Sequence, residues 1–447
     1  MTLFVDDRTG HSVSASYRMS TVEAVRAANG FDSVQLRQPV GGGDQAQVPW
    51  RAASGALVDD ARTGILPGGQ DWPLGPTTAG DEVAGYLVTF GWEDAESCFV
   101  TLLPPAPDPS VSSPEPVGPR PSVRVQAADP TGAAAEVSRV RFVGVDQEGG
   151  PRATAAVLAR DDDVADALAG SPLTGTAPLL YTPPAGPLPA ATLGELLRVL
   201  PEGGTVYVLG GEAAIAPEVV GELELYRYVV ERLAGPSRVE TAIQVANRTM
   251  ALGGDASQVA LVRAFGTEAD PTAAWADSVG IAPWSARGAV PVLVTPSDAV
   301  HPGVADWLAY IAPARTVLLG GPQALAAEVE AAVPGPLRIA GAERAGTAVA
   351  VTEQLLGVDR DVAATYVVVD GYRPDGWAYG LAAAGLAVSA GTGLLLVGET
   401  VPEPTAARVD HCAVDPPLDL RLTLVGDDTV IGDAVQQALD DGTTREC

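Results

Sequence analysis

The chain has 447 residues, 27 basic and 56 acidic side chains, and a formal net charge of −29 at pH 7; every cation is Arg, because Lys is absent. That balance excludes a general nucleic-acid binder, which needs a basic footprint, and argues against adsorption to anionic lipid. With 47% hydrophobic and 19% charged residues, the composition is that of ordered domains, and about three fit at ~150 residues each.

The chain opens MTLFVDDRTG, with two Asp and no apolar stretch, so no signal peptide is expected at this start. That leaves a cytosolic protein or one whose signal has been removed. Residues 1–103 are Gly-rich and contain Trp50, Trp72 and Trp92. A strand is expected over Gly85–Gly91, with Asp81, Glu82, Glu93, Asp94 and Glu96 around it. Paired carboxylates can hydrolyse glycans, but a solvated loop is the plainer reading. This segment is expected to be a small β-containing domain of open role. A Pro-rich stretch, Pro104–Pro121, follows; it can form neither a helix nor an interior strand and is expected to be an extended linker.

The remainder repeats itself. RVQAADPTGAAAEVSR from Arg124, RLAGPSRVETAIQVAN from Arg232 and RIAGAERAGTAVAVTE from Arg338 align without gaps. Each copy ends on a strand–turn–helix, beginning at Thr205, Thr316 and Leu422. The expected boundaries are therefore 1–103, linker 104–122, and repeats 123–231, 232–337 and 338–447. Within repeat 1, short buried strands are expected at Ala155–Ala159, Ala177–Tyr181 and Thr205–Leu209. Helices are expected at Val164–Gly170, Leu188–Leu200 and Pro217–Leu225. Alternating strands and helices imply mainly parallel sheets covered by helices, and about 107 residues are enough for an independent core in each unit.

Other signals are weak. The three Cys (Cys98, Cys412, Cys447) and three His (His11, His301, His411) match no zinc spacing; Cys412 and Cys447 could pair in an oxidising compartment. Apolar runs such as Gly393–Gly398 are too short to span a bilayer. Without Lys no phosphate-binding G-x-x-x-x-G-K-[ST] loop exists, and no G-x-S-x-G occurs. The run Arg160–Asp163 (RDDD) offers either oxygen ligands for Ca²⁺ or Mg²⁺ or, more simply, a helix cap.

The blocks RLAGPSRVETA at Arg232, LARDDDVADALAGSPL at Leu158, APLLYTPP at Ala177 and GGTVYVLGGEAAI at Gly203 resemble the type-2 cell-wall-binding repeat family. The resemblance covers residues 123–447 and recurs three times. It implies a secreted surface protein of a Gram-positive bacterium, held non-covalently by three repeats on an anionic secondary wall polymer. It also implies three tandem Toprim-like α/β domains in a pseudo-threefold arrangement, with the N-terminal segment as a variable partner. Two alternatives stay open: a wall-remodelling enzyme with catalysis in residues 1–103, and a surface-layer or adhesion protein. The repeats themselves are not expected to be enzymatic. No nucleic acid and no membrane insertion are expected, the oligomeric state stays open, and no cofactor is expected unless divalent cations bridge protein and polymer.

The candidate ligand-binding residues are Arg238 and Arg344, which open the first helix of repeats 2 and 3, and the paired glycines Gly210–Gly211 and Gly320–Gly321. Arg can grip phosphate or carboxylate bidentately, or form an ion pair with a neighbouring repeat. A Gly-rich turn before a helix can cradle an anion or can pack a strand closely on a helix. Three positions depart from the pattern: Pro130 stands where repeat 1 would carry the Arg, Gly426–Asp427 replaces the double glycine of repeat 3, and the block ADAL at Ala165–Leu168 becomes ADSV and AYGL. Charge differs too, with −8, −3 and −10 on repeats 1 to 3. Repeat 2, the nearest to neutral, is expected to carry the binding surface, through Arg238 or through bridging cations.

Overall fold

The computed structural model describes residues 122–267, 270–360, 365–410 and 420–444 and, of residues 1–121, the strands alone. The chain divides into two compact units, Met1–Val117 and Gly118–Cys447. In the first, β1 (Thr2–Val5), β2 (Ser12–Arg18), β5 (Gln70–Pro73), β6 (Leu87–Trp92) and β7 (Ser97–Leu103) form an antiparallel sheet in the order β1-β2-β7-β6-β5. β3 (Trp50–Arg51) and β4 (Leu57–Val58) pair separately. The strand expected near Gly85–Gly91 is β6. The five carboxylates beside it, the linker, His11, His411, Cys412 and Cys447 lie outside the described residues.

The second unit begins with β8 (Ser122–Val125) and α1 (Pro130–Arg141). There follow β9 (Ala156–Arg160), α2 (Val164–Ala169), β10 (Leu179–Thr182), α3 (Ala190–Val199), β11 (Thr205–Leu209) and α4 (Pro217–Leu225). Repeat 2 supplies β12 (Val229–Leu233), α5 (Arg238–Ala251), β13 (Gln258–Arg263), α6 (Ala282–Gly288), β14 (Val292–Thr295), α7 (Pro302–Ile311), β15 (Arg315–Leu319) and α8 (Ala327–Ala331). Repeat 3 runs through β16 (Pro336–Ile339), α9 (Arg344–Gln354), β17 (Thr365–Asp370), α10 (Gly376–Ser389), β18 (Leu394–Val397), α11 (Glu403–Val409), β19 (Arg421–Val425) and α12 (Asp433–Thr444). The strands are short aliphatic runs; β10, β14 and β18 are buried along their whole length. That is the pattern of a parallel sheet with helices on both faces, so burial on both sides replaces polar–apolar alternation.

The sheets do not coincide with the repeats. Their orders are β10-β9-β11-β12, β14-β13-β15-β16 and β18-β17-β19-β8, all parallel. β12, which runs from the last residues of repeat 1 into the first of repeat 2, completes the sheet of repeat 1, and β16, which spans the join between repeats 2 and 3, does the same for repeat 2. β8, the start of repeat 1, completes the sheet of repeat 3, so the exchange closes into a ring. Repeats of about 107 residues were expected to hold independent cores. Instead one hydrophobic core runs through all three, because each repeat leaves one sheet edge for its successor to fill.

The Arg that opens each repeat fixes the exchange. Arg232 donates to the carbonyls of Gly210 (2.7 Å) and Ile215 (2.8 Å). Arg338 does the same at Gly320 (2.8 Å) and Leu325 (2.9 Å). Arg124 closes the ring on the carbonyls of Asp427 (3.0 Å) and Ile431 (2.7 Å), with the Gln436 side-chain oxygen as a further acceptor at 2.7 Å. A part-buried hydrogen bond from a guanidinium contributes about 1.5–3 kcal/mol, so each clamp is a major local tie. Repeats 1 and 3 also meet directly. The Tyr181 hydroxyl of repeat 1 donates to the Ala378 carbonyl of repeat 3 at 2.9 Å, and its ring meets Trp377 edge-on.

Candidate functional site

The strand exchange brings the C-terminal ends of β9, β13 and β17 against the N-terminus of the helix that opens a neighbouring repeat. Three seams result, and the candidate residues line two of them. In the seam between repeats 1 and 2, Ser237 caps α5 by accepting from the Val239 N–H at 3.1 Å, which points the first residue, Arg238, across the boundary. Arg238 donates to the Ala264 carbonyl (2.9 Å) and to Asp163 of repeat 1 (3.0 Å), and its guanidinium lies 5.0 Å from the Phe265 ring centre. Asp163 also caps α2, accepting from Ala165 N–H at 3.0 Å, and Asp162 pairs with Arg160. The RDDD run therefore divides between a cap, a local ion pair and this bridge.

Asp166, one turn into α2, stands beside Gly210. No hydroxyl or N–H among the described residues donates to it. Burial raises its pKa to about 6, with Asp163 adding to the rise and Arg238 opposing it.

In the seam between repeats 2 and 3, Arg344 is the first residue of α9. It donates to the Gly371 carbonyl at 2.8 Å and to the Thr272 hydroxyl of repeat 2 at 3.0 Å. Its guanidinium lies between two rings, 5.3 Å from Trp275 and 4.9 Å from Tyr372. Among the described residues no carboxylate reaches within ion-pair distance of it, but the Thr272 hydroxyl donates in turn to Asp270 (2.5 Å), and that bond, together with the charge of Arg344, holds the Asp270 carboxyl below its usual range. Asp277, the counterpart of Asp166, accepts from the Thr347 hydroxyl at 2.8 Å. The Tyr372 hydroxyl donates to Glu343, and burial followed by Glu343 raises the phenol's pKa.

The closing seam joins repeat 3 to repeat 1 and carries Pro130 in place of the Arg. Asp129 caps α1, accepting from Gly132 N–H at 2.8 Å. Tyr379 occupies the position of Asp166 and Asp277. Arg373 is taken up by Asp375 (3.0 Å) and the Thr429 carbonyl (3.0 Å).

The two glycines of each pair differ. Gly210 and Gly320 have φ of 89° and 86°, which a side chain would strain. A Cβ there would lie 2.4 Å from Asp166 Oδ2 and 2.6 Å from Asp277 Oδ2. Their N–H groups donate to Leu233 and Ile339, both at 2.9 Å, and their carbonyls accept the clamp arginines. Gly211 and Gly321 face open space, with nothing within 4 Å of a Cβ position. The first glycine thus seats the turn against the seam carboxylate, and the second leaves room in front of it.

Repeat alignment alone could have found Asp166 and Asp277, which fall in the ADAL block. Phe265, Trp275 and Tyr372 escaped it, because the loops that carry them differ in sequence and contour. Among the described residues no three His, Cys, Asp or Glu side chains are placed to hold one metal ion, and no helix is long and apolar enough to cross a membrane.

The sequence matches the family described as Cell wall binding domain 2 (CWB2) three times, over residues 124–220, 232–330 and 338–436. Similar solved structures are Cwp8 from Clostridium difficile (TM-score 0.59, 16% identity, 97% of this chain and 85% of that one) and Cwp6 from Clostridium difficile (TM-score 0.60, 15% identity, 93% and 68%). At that identity they show a shared fold. A curated relative, the N-acetylmuramoyl-L-alanine amidase LytC of Bacillus subtilis (strain 168), is 24% identical over 234 residues, 52% of this chain and 42% of its own length. The chain therefore spans less than half of that relative.

Proposed function

Because this chain belongs to the Cell wall binding domain 2 family, we propose that it is a surface protein held non-covalently on a Gram-positive cell wall, with an anionic wall polymer bound at the seams of its ring. The observation that carries this reading is Arg344. It is a guanidinium fixed by a carbonyl, a hydroxyl and two aromatic rings, with no carboxylate within ion-pair distance among the described residues and Asp270 reached only through the Thr272 hydroxyl. A bound phosphate or carboxylate would supply a direct counter-charge, and neighbouring rings suit the face of a sugar. Arg238 is the weaker site, since Asp163 already neutralises it. The weight of the proposal therefore moves from Arg238 towards the seam between repeats 2 and 3. Bridging by divalent cations remains part of it, as a way for a chain of charge −29 to approach a polyanion.

The test is retention of the full chain on purified Gram-positive wall, before and after extraction of the anionic polymer and with and without a chelator. Retention that survives extraction of the polymer would overturn the reading. A chelator that leaves retention unchanged would remove the bridging ions while leaving the Arg344 site. The amidase among the relatives favours one second reading, a wall-cleaving enzyme that the repeats target to its substrate. A clearing band on a wall-containing gel, lost in Glu93→Gln, would support it.

A further inference from the structure

Phe265 and Tyr372 hold the same post in their seams. Each follows the residue whose carbonyl receives the seam arginine, Ala264 for Arg238 and Gly371 for Arg344. Their ring centres lie 5.0 Å and 4.9 Å from those guanidinium groups. The surroundings differ. Tyr372 is latched by its hydroxyl to Glu343, over an arginine with no direct ion pair. Phe265 has no hydroxyl, is 50% exposed, and lies against an arginine already paired with Asp163 at 3.0 Å. The exposed ring is nevertheless carried on a fixed backbone. The Ala264 N–H donates to the Thr295 carbonyl at 2.7 Å, and the Ala264 carbonyl accepts from Arg238 at 2.9 Å. The Phe265 carbonyl accepts from Arg263 Nε at 3.0 Å. Gly266 packs so closely on Pro271 that a Cβ would lie 2.4 Å from its carbonyl oxygen. The Arg238 and Asp163 side chains keep 27% and 32% of their surface exposed, so the ion pair is open to solvent as the ring is.

We propose that the seam between repeats 1 and 2 is a subsite for an uncharged sugar ring stacked on the exposed part of Phe265, and that Asp163 keeps acidic sugars out of it. The phenyl ring offers an apolar surface with a negative π face, and the C–H face of a pyranose is apolar and weakly positive, so the two stack. The backbone ties already hold the ring in place, so little conformational freedom is lost on binding. Sugar hydroxyls need both donors and acceptors near such a platform, and the part-exposed Arg238–Asp163 pair has both. A carboxylate or phosphate finds less here. The guanidinium at the ring is neutralised, and Asp163 repels a second anion. A docked protein would need a contiguous apolar patch, whereas Phe265 is bordered by the ion pair, by Arg263 and by the exposed Thr267. For the source of the sugar the proposal rests on the wall-polymer reading and deepens it. One seam takes the charge of the polymer and another takes a neutral ring.

The test is saturation-transfer NMR on the full chain with the methyl glycosides of glucose, galactose and mannose and with their uronic acids. The chain carries Arg344→Ala, so that acidic sugars held at the other seam do not count. At least one neutral glycoside is expected to receive saturation on its ring C–H protons, and its uronic acid to receive roughly fivefold less or lower still. Adding Phe265→Ala should lower transfer to the neutral sugar by roughly fivefold or more, and Phe265→Trp should restore it. Phe265 lies outside the hydrophobic core, so these variants leave the fold intact. Asp163→Asn keeps the α2 cap, because Asn caps as Asp does, and leaves Arg238 without its ion pair. It should raise transfer to the uronic acid by roughly fivefold. The proposal is overturned by no transfer to any of the three neutral glycosides, by transfer unchanged in Phe265→Ala, or by uronic acids indifferent to Asp163→Asn. Because no wall is present, this result is separate from the Arg344-dependent retention, and either can fail while the other stands.

Discussion

The seam between repeats 2 and 3 and the seam that closes the ring occupy matching places in the fold yet hold opposite chemistry. The first has a guanidinium between two aromatic rings with no carboxylate against it among the described residues. The second has lost that Arg and carries a buried tyrosine, with no hydrogen-bond partner for its hydroxyl, where the first carries Asp277. Both keep the clamp beneath, Arg338 in one sheet and Arg124 in the other. The difference teaches that the clamp belongs to the scaffold and is retained wherever the ring must close, whereas the upper layer of each seam varies without cost to the exchange of strands.

The strongest way to break this comparison is to damage the scaffold. Gly320→Val places a side chain at φ 86°, with its Cβ 2.6 Å from Asp277 Oδ2. It should lose about 3 kcal/mol or more in urea unfolding. Arg124→Met and Arg232→Met should each lose about 2–3 kcal/mol. If the ring is one cooperative unit, each lowers a single transition; two transitions in the Arg124 variant would instead mean that the repeats unfold separately.

The upper layer should respond through binding. Arg344→Ala is expected to weaken wall retention about tenfold, or ~1.4 kcal/mol, with an unchanged unfolding midpoint. Arg238→Ala should weaken it less, because its charge is already paired with Asp163. Equal losses in the two variants would remove the distinction between their seams.

Asp166 gives the comparison a pH signature. Its folded pKa, raised to about 6 chiefly by burial, lies above its unfolded value. Its contribution to stability is therefore fully present below about pH 4 and is lost as pH rises through about 6. Asp166→Asn should be more stable than wild type by about 1–2 kcal/mol at pH 7, and the advantage should vanish near pH 4. An advantage that does not change with pH would sink the assignment. The smallest effect is expected at the second glycine, where a Cβ meets nothing within 4 Å. Gly321→Ala should change stability by less than about 0.5 kcal/mol.

Much of the scaffold was legible in the chain. Thr205–Leu209 and Pro217–Leu225 are a strand and a helix with the bounds expected of them. Compact aliphatic runs and Ala-rich amphipathic runs have few other ways to bury their surface. The seams were only half legible. Arg238 and Arg344 stood out as repeated motif residues, but their partners did not. Asp163 lies 75 residues from Arg238, and Thr272 lies 72 from Arg344. No local pattern predicts which loop a guanidinium will meet across a boundary between repeats.

The sequence by itself determined the threefold repetition, the parallel α/β character of each copy and the Arg and Gly positions shared among them. Those depend on local periodicity and on residue types with few conformational alternatives. Only the tertiary structure decided that the first strand of each repeat pairs with the preceding sheet, and that β8 closes the ring by pairing with β19. A parallel edge strand is chosen by which open sheet edge lies within reach, a non-local competition that the strand's own residues do not encode. Tertiary structure alone also decided which cations are neutralised. Arg238 met a carboxylate and Arg344 met two rings, although the chain presents both at the same place in its repeat.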